Sequence, residues 1–166
     1  MIPWARPDFY GYEDKFVRQA LKSTWISDGS FIKKFETQFS KYLKSKDSIA
    51  VSNGTAAIHL VYLAMGLKKG DEIIIPGFGY MAAANLAVQM GLKPVFADVD
   101  LETFCVTEDS IKKKISKKTK LIVVIHTYGN MCDIDQIINL AKRKNIPVLE
   151  DSAESFGSRY KNKLSG

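Results

Sequence analysis

Val148-Leu149-Glu150-Asp151-Ser152-Ala153-Glu154 is the stretch on which the fold turns. Residues 146–149 read as a short buried strand that delivers two carboxylates, Glu150 and Asp151, at its C-terminal end. In an open α/β sheet, ligands sit outside the carboxyl ends of the strands. A carboxylate there is costly to bury unless it is paired. Asp151 therefore faces a ligand, caps the next segment or pairs with a lysine, and this stretch alone leaves all three open.

Working outward, the preceding hundred residues alternate regularly. Residues 49–51 (Ile-Ala-Val) predict a first strand, and residues 54–65 an apolar helix closed by Gly66. Residues 72–75 predict a strand stopped by Pro76, residues 80–90 a helix closed by Gly91, and residues 94–97 a third strand. Thr107 starts a capped helix through about Ile115, with Glu108 and Asp109 in its first turn. The run Leu121-Ile122-Val123-Val124-Ile125 is a fully apolar strand, and residues 133–143 form the helix that leads back to Asp151. Strands alternating with helices imply crossovers and a mostly parallel sheet. Near-continuous apolar strands imply helices on both of its faces.

Further out, residues 1–12 read as an extended arm rich in proline and aromatics. Residues 13–23 have helical spacing, with Phe16, Ala20 and Leu21 on one face. A loop with turn chemistry at Asp28-Gly29 follows, and then a helix over residues 31–43 with Phe35, Phe39 and Tyr42 or Leu43 facing inward. Trp25 in that loop is either a packing anchor or a substrate-facing residue. The expected organisation is an arm with helices over 1–47 and one α/β domain over 48–166.

Composition sets the bounds. A chain of 166 residues with 46% hydrophobic and 25% charged residues suits one soluble globular domain. The formal charge of +6 is scattered, with basic clusters at Lys112-Lys113-Lys114, Lys117-Lys118 and Lys142-Arg143-Lys144. All lie near predicted helix ends, where cations complement the dipole. No aromatics interleave with them, which argues against a nucleic-acid platform. Cys105 and Cys132 give neither a disulfide framework nor metal spacing, so no metal is expected and a reducing compartment is. The N-terminus lacks a signal-peptide core and no apolar run is long enough to span a bilayer. The cytoplasm is the expected location.

Several strand ends together describe a site. Ser52-Asn53-Gly54-Thr55-Ala56-Ala57 opens a helix whose free N–H groups suit a phosphate, with Thr55 able to add a hydroxyl. The segment lacks the spacing of a Walker or dinucleotide motif. In Pro76-Gly77-Phe78-Gly79-Tyr80, Tyr80 is the candidate to stack on a planar ring and Phe78 belongs to the core. His126, at the end of the 121–125 strand, is either structural or ligand-facing. A phosphate seat, a stacking aromatic and an acid for a ring nitrogen are what pyridoxal 5′-phosphate (PLP) needs.

The chain resembles the N-terminal part of the DegT/DnrJ/EryC1/StrS sugar aminotransferases, nearest their GDP-perosamine synthase branch. The resemblance is carried by Ser23-Thr24-Trp25-Ile26-Ser27 with Phe35-Glu36, by residues 52–57, by Ala97-Asp98-Val99-Asp100, and by Glu150-Asp151-Ser152-Ala153-Glu154-Ser155 with Gly157. It implies the large domain of an aspartate aminotransferase-like fold (fold type I) and a PLP-dependent transfer of an amino group, from glutamate, to a nucleotide-linked 4-keto-6-deoxy sugar. It implies that Gly54 and Thr55 hold the cofactor phosphate, that Tyr80 stacks on the ring, that Asp151 meets its nitrogen, and that Glu154 lies near its phenolic oxygen. Trp25 and His126 are the expected substrate contacts. The family's Schiff-base lysine is expected beyond Gly166, since Lys161 and Lys163 read as turn residues. The resemblance covers under half of a complete member, and it implies a homodimer. Gly79 departs from the family's usual threonine. The alternatives are a sugar 3-dehydratase of the same family and a non-catalytic nucleotide-sugar-binding or assembly domain.

Overall fold

The computed structural model describes residues 6–166, so the first five residues of the expected arm lie outside it. The chain divides into two compact units, one ending at Ala50 and the other Val51–Gly166.

The first unit holds two amphipathic helices, α1 (Tyr12–Lys22) and α2 (Ser30–Leu43). α1 begins with Glu13 and Asp14 and ends with Lys22, as the helix dipole favours. α2 stops at Lys44, whose φ of 57° is left-handed. Glu36 accepts a hydrogen bond from the Ala50 amide at 2.9 Å and ties α2 to the end of the unit. Neither helix has a buried residue. Phe35 and Tyr42, expected to face inward from α2, are instead about half exposed, while Phe39 and Leu43 are half-buried; on α1, Phe16 and Leu21 are half exposed or more.

The second unit is built on a parallel sheet. Its strands are β1 (Glu72–Pro76), β2 (Lys93–Ala97), β3 (Thr119–Ile125) and β4 (Val148–Asp151), in the order β2-β1-β3-β4. Every pairing among them is parallel, so all four carboxyl ends share one edge. Successive side chains alternate between faces, and the core divides accordingly. Ile73, Ile75, Leu121 and Val123 pack with α3 (Gly54–Ala64) and α4 (Ala82–Gln89). Ile74, Ile122 and Val124 pack with α5 (Glu108–Lys112) and α6 (Ile134–Lys144). The Asn53 side chain caps α3 by accepting from the Ala56 amide at 2.9 Å. Thr107 and Ser110 form a reciprocal capping box on α5. A hairpin, β5 (Arg159–Tyr160) and β6 (Lys163–Leu164), follows the sheet. Its turn residues Lys161 and Asn162 both have positive φ, 46° and 66°, as a two-residue turn of this kind requires.

The strand expected at residues 49–51 does not form. Ile49 and Val51 are 70% and 40% exposed. A strand needs a neighbour to complete its hydrogen bonds, and among the described residues none pairs with this segment. Among the described residues no helix is long and apolar enough to cross a membrane.

Candidate functional site

Parallel pairing brings the segments after β1, β3 and β4 to one edge. Asp151 is the last residue of β4 and pairs in register with Ile125. Its carbonyl accepts from the His126 amide at 3.3 Å, and its Oδ1 accepts from the Ala153 amide at 3.1 Å. The carboxylate thus folds over the start of the next turn, one of the roles left open by the sequence. Among the described residues no lysine, arginine or histidine forms an ion pair with it. Its charge is felt by Tyr62, a fully buried tyrosine on α3 whose hydroxyl donates to the Ala83 carbonyl at 3.1 Å. Burial raises the pKa of that hydroxyl, and the negative charge of Asp151 raises it further.

Thr55, Gly79, Tyr80 and one side of α4, from Ala82 to Gln89, line an open cleft of ≈ 440 Å³. Tyr80 is 71% exposed. A Cβ added to Gly54 would meet nothing within 4 Å, so the space above the first turn of α3 is free. Gly79 has φ +133°, and a Cβ there would lie 3.1 Å from Ile125 Cδ1. The turn between β1 and α4 therefore calls for glycine, which accounts for the departure from threonine. Phe78, expected in the core, is 40% exposed and packs with Phe104 and Tyr128 at ring-centroid distances of 5.4 and 6.2 Å.

His126 occupies a different place from the one expected. Its ring is 0% exposed. Nδ1 accepts from the Cys132 amide at 3.2 Å, so Nε2 carries the proton and donates to Glu150 Oε2 at 3.0 Å. The contact is a hydrogen bond from neutral imidazole, and it lowers the pKa of Glu150. With both nitrogens engaged inside the fold, His126 has no ring atom left for a substrate. It instead staples β3 to β4 beside Asp151. Glu154 Oε2 accepts from the Tyr128 amide at 2.7 Å and closes the loop after β3. Trp25 is 67% exposed and lies against the turn at Gly29, within the first unit. Lys161 pairs with Asp135 at 2.9 Å as a surface turn residue.

The structure thus brings Thr55 and Tyr80 together across the cleft, and Glu154 together with the loop after His126. Sequence reasoning missed two hydroxyls at this edge. Thr127 Oγ1 and Ser152 Oγ are buried without a hydrogen-bond partner among the described residues. The adjacency of Ser152 to Asp151 was the available signal. Orphaned donors, an open helix end and an acid without a cation suit a ligand that carries an anion and a protonated ring.

Solved structures that superpose on the chain set its class. The aminotransferase from Psychrobacter cryohalolentis matches at a TM-score of 0.90 with 36% identity, over 98% of this chain and 42% of that one. An E. coli GDP-4-keto-6-deoxy-D-mannose-3-dehydratase with bound hydrated PLP matches at 0.92 with 33% identity, over 99% and 44%. The fold is that of the PLP-dependent aminotransferases, present in part. At the level of sequence, the pattern of the DegT/DnrJ/EryC1/StrS aminotransferase family matches residues 10–166, and the chain belongs to that family. The GDP-perosamine synthase of Escherichia coli O157:H7 is 45% identical over 166 residues, covering 99% of this chain and 46% of that protein. The chain thus spans under half the length of the curated relatives it matches.

Proposed function

We propose that this chain supplies the cofactor-facing segment of a PLP-dependent aminotransferase acting on a nucleotide-linked 4-keto-6-deoxy sugar, of the GDP-perosamine synthase kind. The observation that carries the reading is Asp151, a carboxylate at the carboxyl edge of a parallel sheet with no cation among the described residues. On this reading the open N-terminus of α3, at Gly54 and Thr55, holds the phosphate, and Tyr80 stacks on the ring from across the cleft. Asp151 keeps the ring nitrogen protonated, with Ala153 N–H fixing its orientation. Glu154, anchored to the Tyr128 amide, lies near the cofactor's phenolic oxygen. Ser152 and Thr127 offer hydroxyls to the bound group. When bound, PLP supplies an electron sink for moving an amino group. The partners of the whole protein are then the nucleotide sugar, glutamate as amino donor, and a second copy of the chain, with the cytoplasm as the setting.

A dehydratase among the structural neighbours supports a second reading, loss of a sugar hydroxyl on the same scaffold. PLP titrated into the chain and followed by visible absorption tests the site. Saturable binding is expected, weakened about tenfold in Asp151→Asn by loss of a charge-assisted hydrogen bond. Equal affinity in the two proteins would remove Asp151 from this role. An enzyme completed by the remaining family segments, given glutamate and a GDP-linked 4-keto-6-deoxy sugar, separates the reactions: an amino sugar supports the transferase, a deoxygenated one the dehydratase.

A further inference from the structure

Two cysteines distant in sequence meet in the core on the α5/α6 side of the sheet. Cys105 follows β2 and Cys132 precedes α6, and both are free thiols with 2% and 1% exposure. Cys105 Sγ donates to the Asn130 carbonyl at 3.3 Å, and Asn130 Nδ2 donates back to the Thr103 carbonyl at 3.2 Å. Two contacts therefore knit the loops that carry the thiols. Cys132 Sγ donates to the Ile125 carbonyl at 3.4 Å. Asn130 stands two residues before Cys132, so these contacts hold the two thiols in one core cluster. Neither thiol has a role in the proposed chemistry.

We propose that Cys105 and Cys132 are an oxidation site, a dithiol that hydrogen peroxide converts to an intramolecular disulfide joining the β2–α5 and β3–α6 loops. Contact with Cys132 brings the Cys105 thiol down to about 7, while contact with Cys105 and burial push Cys132 up. Cys105 is accordingly the first nucleophile. Its thiolate attacks one peroxide oxygen, the O–O bond breaks, and hydroxide leaves, giving a sulfenic acid. The Cys132 sulfur then attacks that sulfur. The S–O bond breaks, the S–S bond forms, and the departing hydroxide takes the Cys132 proton as water. The thiols lose two electrons, and the peroxide gains them and ends as two waters. The crosslink lies behind the candidate site, because the Cys132 amide holds the His126 ring that fixes Glu150. It rests on the chain's own packing and does not depend on the cofactor reading.

The test is made on the native chain at neutral pH. Hydrogen peroxide is added and then removed with catalase, and the protein is unfolded, alkylated and mapped by mass spectrometry without reduction. The expected result is that neither thiol alkylates, the mass falls by that of one hydrogen molecule, a peptide joins Cys105 to Cys132, and dithiothreitol reverses all three. In urea the same link should form about tenfold more slowly, since proximity is no longer held by the fold. Cys132→Ser should stop at a sulfenic acid on Cys105 that dimedone traps. Disulfide-linked dimers, a sulfinic acid on Cys105 with Cys132 still alkylatable, or equal rates in native and unfolded protein would overturn the proposal.

Discussion

The two ends of the parallel sheet treat carboxylates in opposite ways. At the amino end Glu72 opens β1 and is 7% exposed. Its Oε1 meets Lys93 Nζ at 3.0 Å across the register pair, and its Oε2 accepts from Ser116. Those hydrogen bonds hold its pKa below the ordinary carboxylate value, with that from Ser116 counting most. At the carboxyl end Asp151 closes β4 with one amide for company and no cation among the described residues. A buried polar group that the protein satisfies itself serves the fold. A half-buried carboxylate at the ligand edge of the sheet that no cation among the described residues meets, as at Asp151, points to a ligand. Substitutions at the two ends should therefore separate stability from function.

The largest effect is expected from Asp151→Asn in a completed enzyme. Turnover should fall about 10³-fold, the scale of losing one preorganised electrostatic contact, while the urea midpoint of the chain stays close to wild type. A variant that unfolds early yet keeps its turnover would reverse the two roles. Glu72→Ala should do the opposite. It removes two hydrogen bonds to a buried carboxylate and should cost about 2 kcal/mol in urea unfolding, with PLP affinity unchanged. Gly79→Thr, at the turn beneath the cleft, should cost about 1.5 kcal/mol for its left-handed backbone and the contact with Ile125. It should also displace Tyr80, which the same absorption titration would register as weaker binding.

Glu150 sharpens the comparison, because it stands beside Asp151 and yet behaves like Glu72. The His126 hydrogen bond lowers its pKa in the folded chain. A carboxylate with a depressed folded pKa contributes stability that is fully present above its unfolded value, about 4.3, and is lost as pH falls through the folded one. Glu150→Gln should thus unfold less steeply in acid below that range than wild type. At neutral pH it should be about 1 kcal/mol less stable. Circular dichroism followed from neutral pH into acid reads both.

Much of this contrast was open to the sequence. The apolar run 121–125, the Thr107 cap and the acid at the end of β4 were legible because each rests on local chemistry: side-chain period, hydroxyl reach and strand polarity. His126 was ambiguous because its partners, Cys132 and Glu150, are chosen by tertiary pairing. Residues 49–51 have strand composition but gain nothing from it without a neighbour. Phe35 and Tyr42 were expected to face inward and are exposed, because amphipathic spacing says which side wants cover and not what supplies it. Tyr62 gave no signal at all, since only the fold sets a buried hydroxyl near Asp151.

The smallest expected effect tests how the amino end is satisfied. Lys93 and Ser116 both reach Glu72, but the Lys93 side chain is 66% exposed. Its charge is solvated and screened, so Lys93→Met should cost about 0.5 kcal/mol and lose even that difference in high salt. Ser116 also accepts from the Lys118 amide at 3.0 Å, so Ser116→Ala leaves Glu72 Oε2 short of a donor and that amide short of an acceptor. It should therefore cost more than Lys93→Met and be indifferent to salt. If the lysine variant proves the more damaging, the amino end is held by charge, and satisfaction by the protein's own hydrogen bonds no longer distinguishes Glu72 from Asp151.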